Sequence, residues 1–312
     1  MERLFRIVAI ALGTLVLVRA APAPAFDPER LAYNLRTTVQ SYETIGRTNT
    51  LWDAEARRCL TAFARLRSVT NSANQAFFDE LGAVLPLLRA KGCDDPMVRY
   101  LEARFILVES GSQDKVTAAF QPAARELQDS QYPSLRKFYA SMWAYRTTQT
   151  SDAKSPMVTS LLSDATSELG KALADRSMPI QEADEATDML VSSFHGSNTN
   201  LWNCYRILEA PLTNVWKGTA FAECLKGRAY VSGAWLARGN GYAETVSKEG
   251  GRLFAERLRI AEEALESAWK LNPTDLRVCL AMAHVELGQG KGLARLNTWF
   301  ERGMNLDPAN YE

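Results

Sequence analysis

Histidine is almost missing from this chain of 312 residues, which has two, His195 and His284. That scarcity leaves little room for chemistry that rests on an imidazole base or an imidazole metal ligand. A Ser-His-Asp set can be drawn on paper from His195 with Ser192 or Ser193, but no Gly-x-Ser-x-Gly nucleophile turn accompanies it. His195 reads better as the last residue of a helix, where the dipole favours it. An excess of either charge is missing too, since Lys plus Arg and Asp plus Glu both number 36. No basic footprint for nucleic acid is therefore present. The five cysteines, Cys59, Cys93, Cys204, Cys224 and Cys279, stand far apart, whereas zinc-binding pairs sit about two to four residues apart. No metal site and no cofactor site is expected. Gly239-x-Gly241 and Gly288-x-Gly290 follow no strand and lack the spacing of a phosphate loop, so both read as turns. The carboxylate pairs Asp94-Asp95 and Glu262-Glu263 read as a helix cap and a solvated face. Alternation of apolar and polar residues is absent over any useful length, which argues against strands.

What is present begins with an export signal. Arg3 and Arg6 precede the uncharged run Ile7 to Val18, followed by Arg19 and the small residues through Ala23-Pro24-Ala25. A charged start, a short apolar run and an Ala-x-Ala site predict a secretory signal over residues 1–25, cleaved before Phe26. The run is well short of the about 20 residues that cross a bilayer. An uncleaved anchor is the alternative, and the only membrane association expected. Export to a periplasmic or secreted location permits disulfides, and the odd cysteine count leaves at least one thiol over. Cys204 with Cys224 is the first choice for a bridge. Buried helical thiols are the competing reading.

Helical periodicity fills the remainder. Asp27-Pro28-Glu29 is a helix start, with Asp as cap and Pro in the first turn. Leu31, Leu35, Val39 and Tyr42 then share one face. Comparable runs follow from Leu51, from Gln75, and from the capped start Asp94-Asp95-Pro96. The polar segment Ser151 to Ser155 marks a soft boundary, giving residues 26–150 as N-terminal helical hairpins and residues 151–312 as a second helical region. Ala222, Gly227, Ala229, Gly233 and Ala234 place small residues along one helix, a device for close approach of a neighbour. The fold class predicted is all-α.

Two endings near the C-terminus match: Ala268-Trp269-Lys270-Leu271-Asn272-Pro273 and Gly303-Met304-Asn305-Leu306-Asp307-Pro308. Before Pro273 the spacing presents Leu258, Ala261, Leu265 and Ala268; before Pro308 it presents Leu293, Leu296, Phe300 and Gly303. With Ala, large apolar residues and a closing Pro at such places, the stretch from about residue 227 to 308 resembles the tetratricopeptide repeat family. Two degenerate repeats carry the likeness. Ala283, Met282 and Glu286 stand where the motif prefers Gly, Leu and Tyr, and residues 241–253 are an insertion. The run Ala237 to Tyr242, the Glu286-Leu287-Gly288-Gln289-Gly290 segment and the Asn310-Tyr311 ending also resemble exported bacterial repeat proteins to which no activity is attached.

The resemblance implies a right-handed α-solenoid of antiparallel helix pairs that binds a protein or peptide along its concave face. Arg277, Leu280, His284 and Leu287 are the concave positions it implies for the last unit. The Lys and Asn that grip a peptide carboxylate in one subset of the family are replaced here by Leu280 and His284. Ala261, Leu265, Ala268, Pro273, Phe300, Gly303 and Pro308 would pack the repeats. Inserted residues Tyr242, Glu244, Lys248 and Glu249 form a candidate functional loop. A solenoid also needs a polar terminal face, whereas the last helix carries Leu293, Leu296, Trp299 and Phe300, a face to be covered by the chain's own curvature, by a partner or by a second copy, self-association being the hypothesis taken. The expected function is therefore a binding scaffold without catalysis. Two alternatives stand beside it: an envelope enzyme with its site in residues 27–200, and a structural assembly subunit.

Overall fold

The computed structural model describes residues 25–109, 112–194 and 197–309. Most of the export signal, His195 and the Asn310-Tyr311 ending lie outside the described residues. Helix dominates, and the only β pairing among the described residues is an isolated bridge between Phe26 and Val69. The first half contains α1 (Pro28–Leu35), a π-helical turn (Arg36–Gln40), α2 (Ser41–Ile45), α3 (Asp53–Ser68), α4 (Gln75–Ala90), α5 (Pro96–Glu109), α6 (Gln113–Asp129) and α7 (Ser134–Ser151). The second contains α8 (Pro156–Leu173), α9 (Ile180–Ser192), α10 (Asn198–Asn214), α11 (Ala220–Arg238), α12 (Lys248–Leu271), α13 (Leu276–Gln289) and α14 (Leu293–Leu306). Most helices adjacent in sequence pack as neighbours, most closely α11 with α12, α7 with α8, α6 with α7, α5 with α6 and α3 with α4.

Local chemistry explains the starts. Asp27 Oδ1 accepts the Arg30 N–H at 2.9 Å, with Pro28 in the first turn. Asp95 Oδ1 accepts the Met97 and Val98 N–H groups at 3.0 and 3.2 Å, and the Tyr132 hydroxyl donates to the same carboxylate. Asp275 caps α13 by accepting from the Arg277 N–H at 3.0 Å. Each side-chain oxygen satisfies donors that the first helical turn leaves without partners.

Two apolar clusters form the interior. The larger runs from Tyr33 to Ala229 and continues across the 152–155 turn, where the polar segment lies; the smaller joins Cys224, Val231 and Ala234 to Leu258, Ala261, Leu265, Ala268, Met282, Val285 and Trp299. Helix α11 belongs to both. Phe221, Leu225 and Ala229 enter the first cluster, while Cys224, Val231 and Ala234 enter the second. Its glycines make this closeness achievable. A Cβ on Gly227 would collide with the Leu265 side chain of α12, and one on Gly233 would stand 2.5 Å from the Trp202 ring.

Several expectations change. The sequence predicts a Cys204–Cys224 bridge, but all five cysteines are free and buried. Cys204 lies in the first cluster with its Sγ 3.4 Å from Thr166 Oγ1, and Cys224 turns into the second. The two thiols thus belong to different apolar clusters, and burial raises the pKa of both. Phe300, matched to Leu265 by the repeat offset, is 62% exposed, and Trp299 takes the inner place at 6%. Leu265 lies between α11 and α13, whereas among the described residues α14 has α13 and the edge of α12 on one side only. Trp299 reaches that side, meeting Trp269 edge-on at 5.5 Å under the Arg302 guanidinium. Ala261, Leu265 and Ala268 are buried as repeat packing requires, Gly303 lies against Cys279 and Leu276, and Pro273 and Pro308 stand in the turns after α12 and α14.

The deepest polar feature spans the N-terminal helices. Glu182 of α9 has no exposed surface; it accepts from Arg30 Nη2 at 2.9 Å, Arg67 Nη2 at 2.9 Å and Asn34 Nδ2 at 3.0 Å. Arg136 of α7, also fully enclosed, donates to Asn34 Oδ1 and, through Nε at 3.2 Å, to Thr37 Oγ1 in the π-helical turn. Burial alone would raise the pKa of Glu182, but Arg67, Arg136 and Arg30 pull it from 4.5 down to about 2. Because the unfolded chain takes up this proton first, the contribution is complete above about pH 5 and is lost as pH falls toward 2. We expect Glu182→Gln to lower stability at pH 7 by about 3–5 kcal/mol and to flatten the acid limb of a urea-midpoint series. An unchanged limb in that variant would show that the carboxylate does not organise the N-terminal helices.

Candidate ligand groove

The residues assigned to the concave face converge on one surface feature. Arg277, Leu280, His284 and Leu287 rise along α13 at helical spacing and form one wall of a groove of about 670 Å³. The facing wall is α11, through Arg228, Val231, Ser232 and Trp235, and Asn198 and Leu201 at the start of α10 close one end. Asn240 contributes from the loop after α11. The volume lies within the range of sites that take a small ligand or a short peptide segment.

The walls are related by sequence. Arg228 and Arg277, Val231 and Leu280, Ser232 and Ala281, and Trp235 and His284 are each separated by 49 positions, as in 277 − 228 = 49, and all eight line the groove. The two walls thus present paired positions at one constant separation along the chain.

One of the four expected ligand residues is already occupied. Arg277 Nη1 and Nη2 donate to Asp184 of α9 at 2.9 and 3.1 Å, Nη1 also to Asp188 at 3.2 Å, and Nε and Nη2 to Asp275 at 2.8 and 2.7 Å. Burial disfavours its charge, yet hydrogen bonds with Asp275 and Asp184 outweigh that and raise its pKa. Arg277 is thus a strut from α13 to α9 and not a free binding group. Arg228 approaches Asp188 only at 3.6 Å. His284 and Leu287 are exposed, and Leu280 is half-buried. Trp235 is held from behind, edge-on to Phe254 at 5.1 Å with Arg238 over its ring.

The candidate loop shortens in three dimensions. Lys248 and Glu249 open α12, capped by the Ser247 hydroxyl, which accepts the Gly250 N–H at 3.0 Å, and Glu249 pairs with Arg252 at 2.7 Å. Serine capping and a first-turn carboxylate carry the helix back through half of the insertion. Tyr242, 81% exposed, and Glu244 remain in the loop, which holds a short 3-10 turn at Ala243–Thr245. Neither lines the groove.

Of the other sequence-derived constellations, the Ser-His-Asp set depends on His195, which lies outside the described residues. Ser193 Oγ and Ser192 Oγ accept from Arg146 at 2.8 and 3.0 Å. Asp95 is enclosed as a cap, and Glu262 holds Lys291 and Arg295. No group of three or more metal-ligating side chains occurs among the described residues. No helix among them is long and apolar enough to cross a membrane. Comparison with protein-family models, curated proteins and solved structures returned no match.

The strut makes a local claim. Arg277→Gln should destabilise the C-terminal unit by about 2 kcal/mol, the scale of lost hydrogen bonds to charged groups. Amide exchange should then quicken in α13 and α14 and stay unchanged in α3 to α7. Uniform quickening over all helices would show that Arg277 supports the whole fold and not this junction.

Proposed function

We propose that the chain is an exported, tetratricopeptide-like scaffold that binds a protein or peptide segment in the groove between α10, α11 and α13 and carries out no chemistry of its own. The observation that carries this reading is the pairing of α11 and α13 at 49 positions, which aligns two helix faces along one groove. Repetition of a wall is what a right-handed solenoid of helix pairs provides. The groove mixes apolar surface from Leu201, Val231, Leu280 and Leu287 with polar groups from Asn198, Ser232, Arg228 and His284, the composition of a peptide-recognition surface. An enzyme in residues 27–200 and an assembly subunit remain the competing classes. Self-association belongs to the same reading, since Leu293 at 74% and Phe300 at 62% exposure lie open on α14.

A displayed random-peptide library panned on the folded protein tests it. Selected peptides should bind wild type, and Leu280→Asp or Leu287→Asp should weaken them by about thirtyfold, the scale of losing one interface anchor of about 2 kcal/mol, without changing the thermal midpoint. Peptides that ignore both substitutions, or a library that yields none, would overturn the assignment. Light scattering at micromolar concentration should report more than one copy, reduced to one by Phe300→Glu. A monomeric wild type would remove the self-association part and leave the groove standing.

A further inference from the structure

The chain has no net charge, yet one cavity distant from the groove gathers cations. Arg57, Arg58, Thr61 and Arg65 lie along α3, with Arg57, Thr61 and Arg65 spaced by four residues on one face. Together with Ala62 and with Ala76, Phe77 and Glu80 of α4 they line a cavity of about 410 Å³. Within the lining, three guanidiniums stand against the single carboxylate of Glu80, while outside it Glu43 pairs with Arg57, Asp53 lies near Arg57 and Glu55 near Arg58.

How the arginines are held matters more than the count. Arg57 meets Glu43 through Nε alone, at 3.0 Å, and Arg58 meets Glu80 through Nε alone, at 2.9 Å. A paired guanidinium usually presents two nitrogens to its carboxylate. Here the contact is side-on and single, so both terminal amino groups of each arginine have no partner among the described residues. Arg65 is exposed, and its side chain has no carboxylate, hydrogen-bond or ring partner among them. The anchoring carboxylates fix the stems of two arginines without using their forks. The buried part of the lining is apolar, made of Ala62 and Phe77, the latter 9% exposed. Low-dielectric walls strengthen the field of charges set around them.

We propose that this α3–α4 cavity binds a tetrahedral oxyanion, a phosphate or sulfate group. Three guanidiniums and the Thr61 hydroxyl supply donors from several directions, which suits an anion with three or four acceptor oxygens better than a flat carboxylate. A carboxylate needs one fork, and two already sit at the arginine stems without closing the site. The cavity is larger than a bare ion, and its apolar lining at Phe77 faces the space an ester substituent would occupy.

Titration with inorganic phosphate, sodium sulfate and phenyl phosphate, each against sodium chloride at matched ionic strength and read by NMR shifts and thermal midpoint, tests this. All three oxyanions should bind saturably and chloride should not. Arg65→Gln, and separately the double substitution Arg57→Gln with Arg58→Gln, should each weaken binding by at least about tenfold. Tighter binding of phenyl phosphate identifies an ester as the ligand; equal binding identifies the free ion, and both support the shared chemistry. Phosphate that does no better than chloride, or variants that bind as wild type does, would overturn the proposal. Arg65 is exposed and unpaired, so its variant keeps the fold, and Thr61→Val gives a second reading with all charges retained.

Discussion

A single buried carboxylate organises the N-terminal helices. An ionised group taken out of water costs several kcal/mol unless it is paired and hydrogen-bonded, and Glu182 meets that condition only with α1, α3, α7 and α9 in place together. Arg30 and Asn34 come from α1, Arg67 from α3, and Arg136, through Asn34 and Thr37, from α7. The constraint is directional, because each donor needs a set angle and distance, where apolar packing would accept many arrangements. Thr37 owes its position to the π-helical turn, which inserts an extra residue into the helix and turns Thr37 and Thr38 inward together. Specificity of this kind is what buried polar networks add to a core that hydrophobic area alone would leave under-determined.

The C-terminal unit meets this frame through α11, through Arg277 and through Arg257 of α12, which stacks over the Trp202 ring. Helix α11 presents opposite faces to the two apolar clusters, and Gly227 and Gly233 let α12 and Trp202 approach it where any Cβ would intrude. Arg277 then ties α13 to α9 through Asp184 and Asp188. Between those attachments the faces of α10, α11 and α13 remain uncovered, and the groove is the space that results. Arg277 lines it while its charge is turned to Asp184, Asp188 and Asp275. Arg57 and Arg58 of α3 show the opposite arrangement, each meeting its carboxylate through Nε alone.

Much of the architecture was legible from residues alone. Asp27-Pro28 and Asp95-Pro96 mark helix starts through backbone chemistry that depends only on neighbours. Small residues on α11 announced close packing, and the spacing of Arg277, Leu280, His284 and Leu287 placed them on one wall. Other features were not legible. Phe300 and Trp299 are adjacent, and which one turns inward depends on what flanks α14. Lys248 and Glu249 lie among glycines that resemble a loop, yet Ser247 caps a helix through them once α11 offers a surface beside it. Cys204 and Cys224 are near in sequence, but the helices carrying them turn the two thiols into different cores.

By itself the sequence determined the helical class, most helix starts, the matched endings and the identity of one groove wall, since all of these follow from interactions within a few residues or from the period of a helix. Only the tertiary structure decided that α11 is the second wall, that Arg277 is a strut, that Glu182 is shared by distant helices, and that three arginines of α3 face one cavity across from α4. Those outcomes depend on which helix faces meet. That is set by the summed packing of the whole chain and by the need to pair every buried charge, and neither can be read from local spacing.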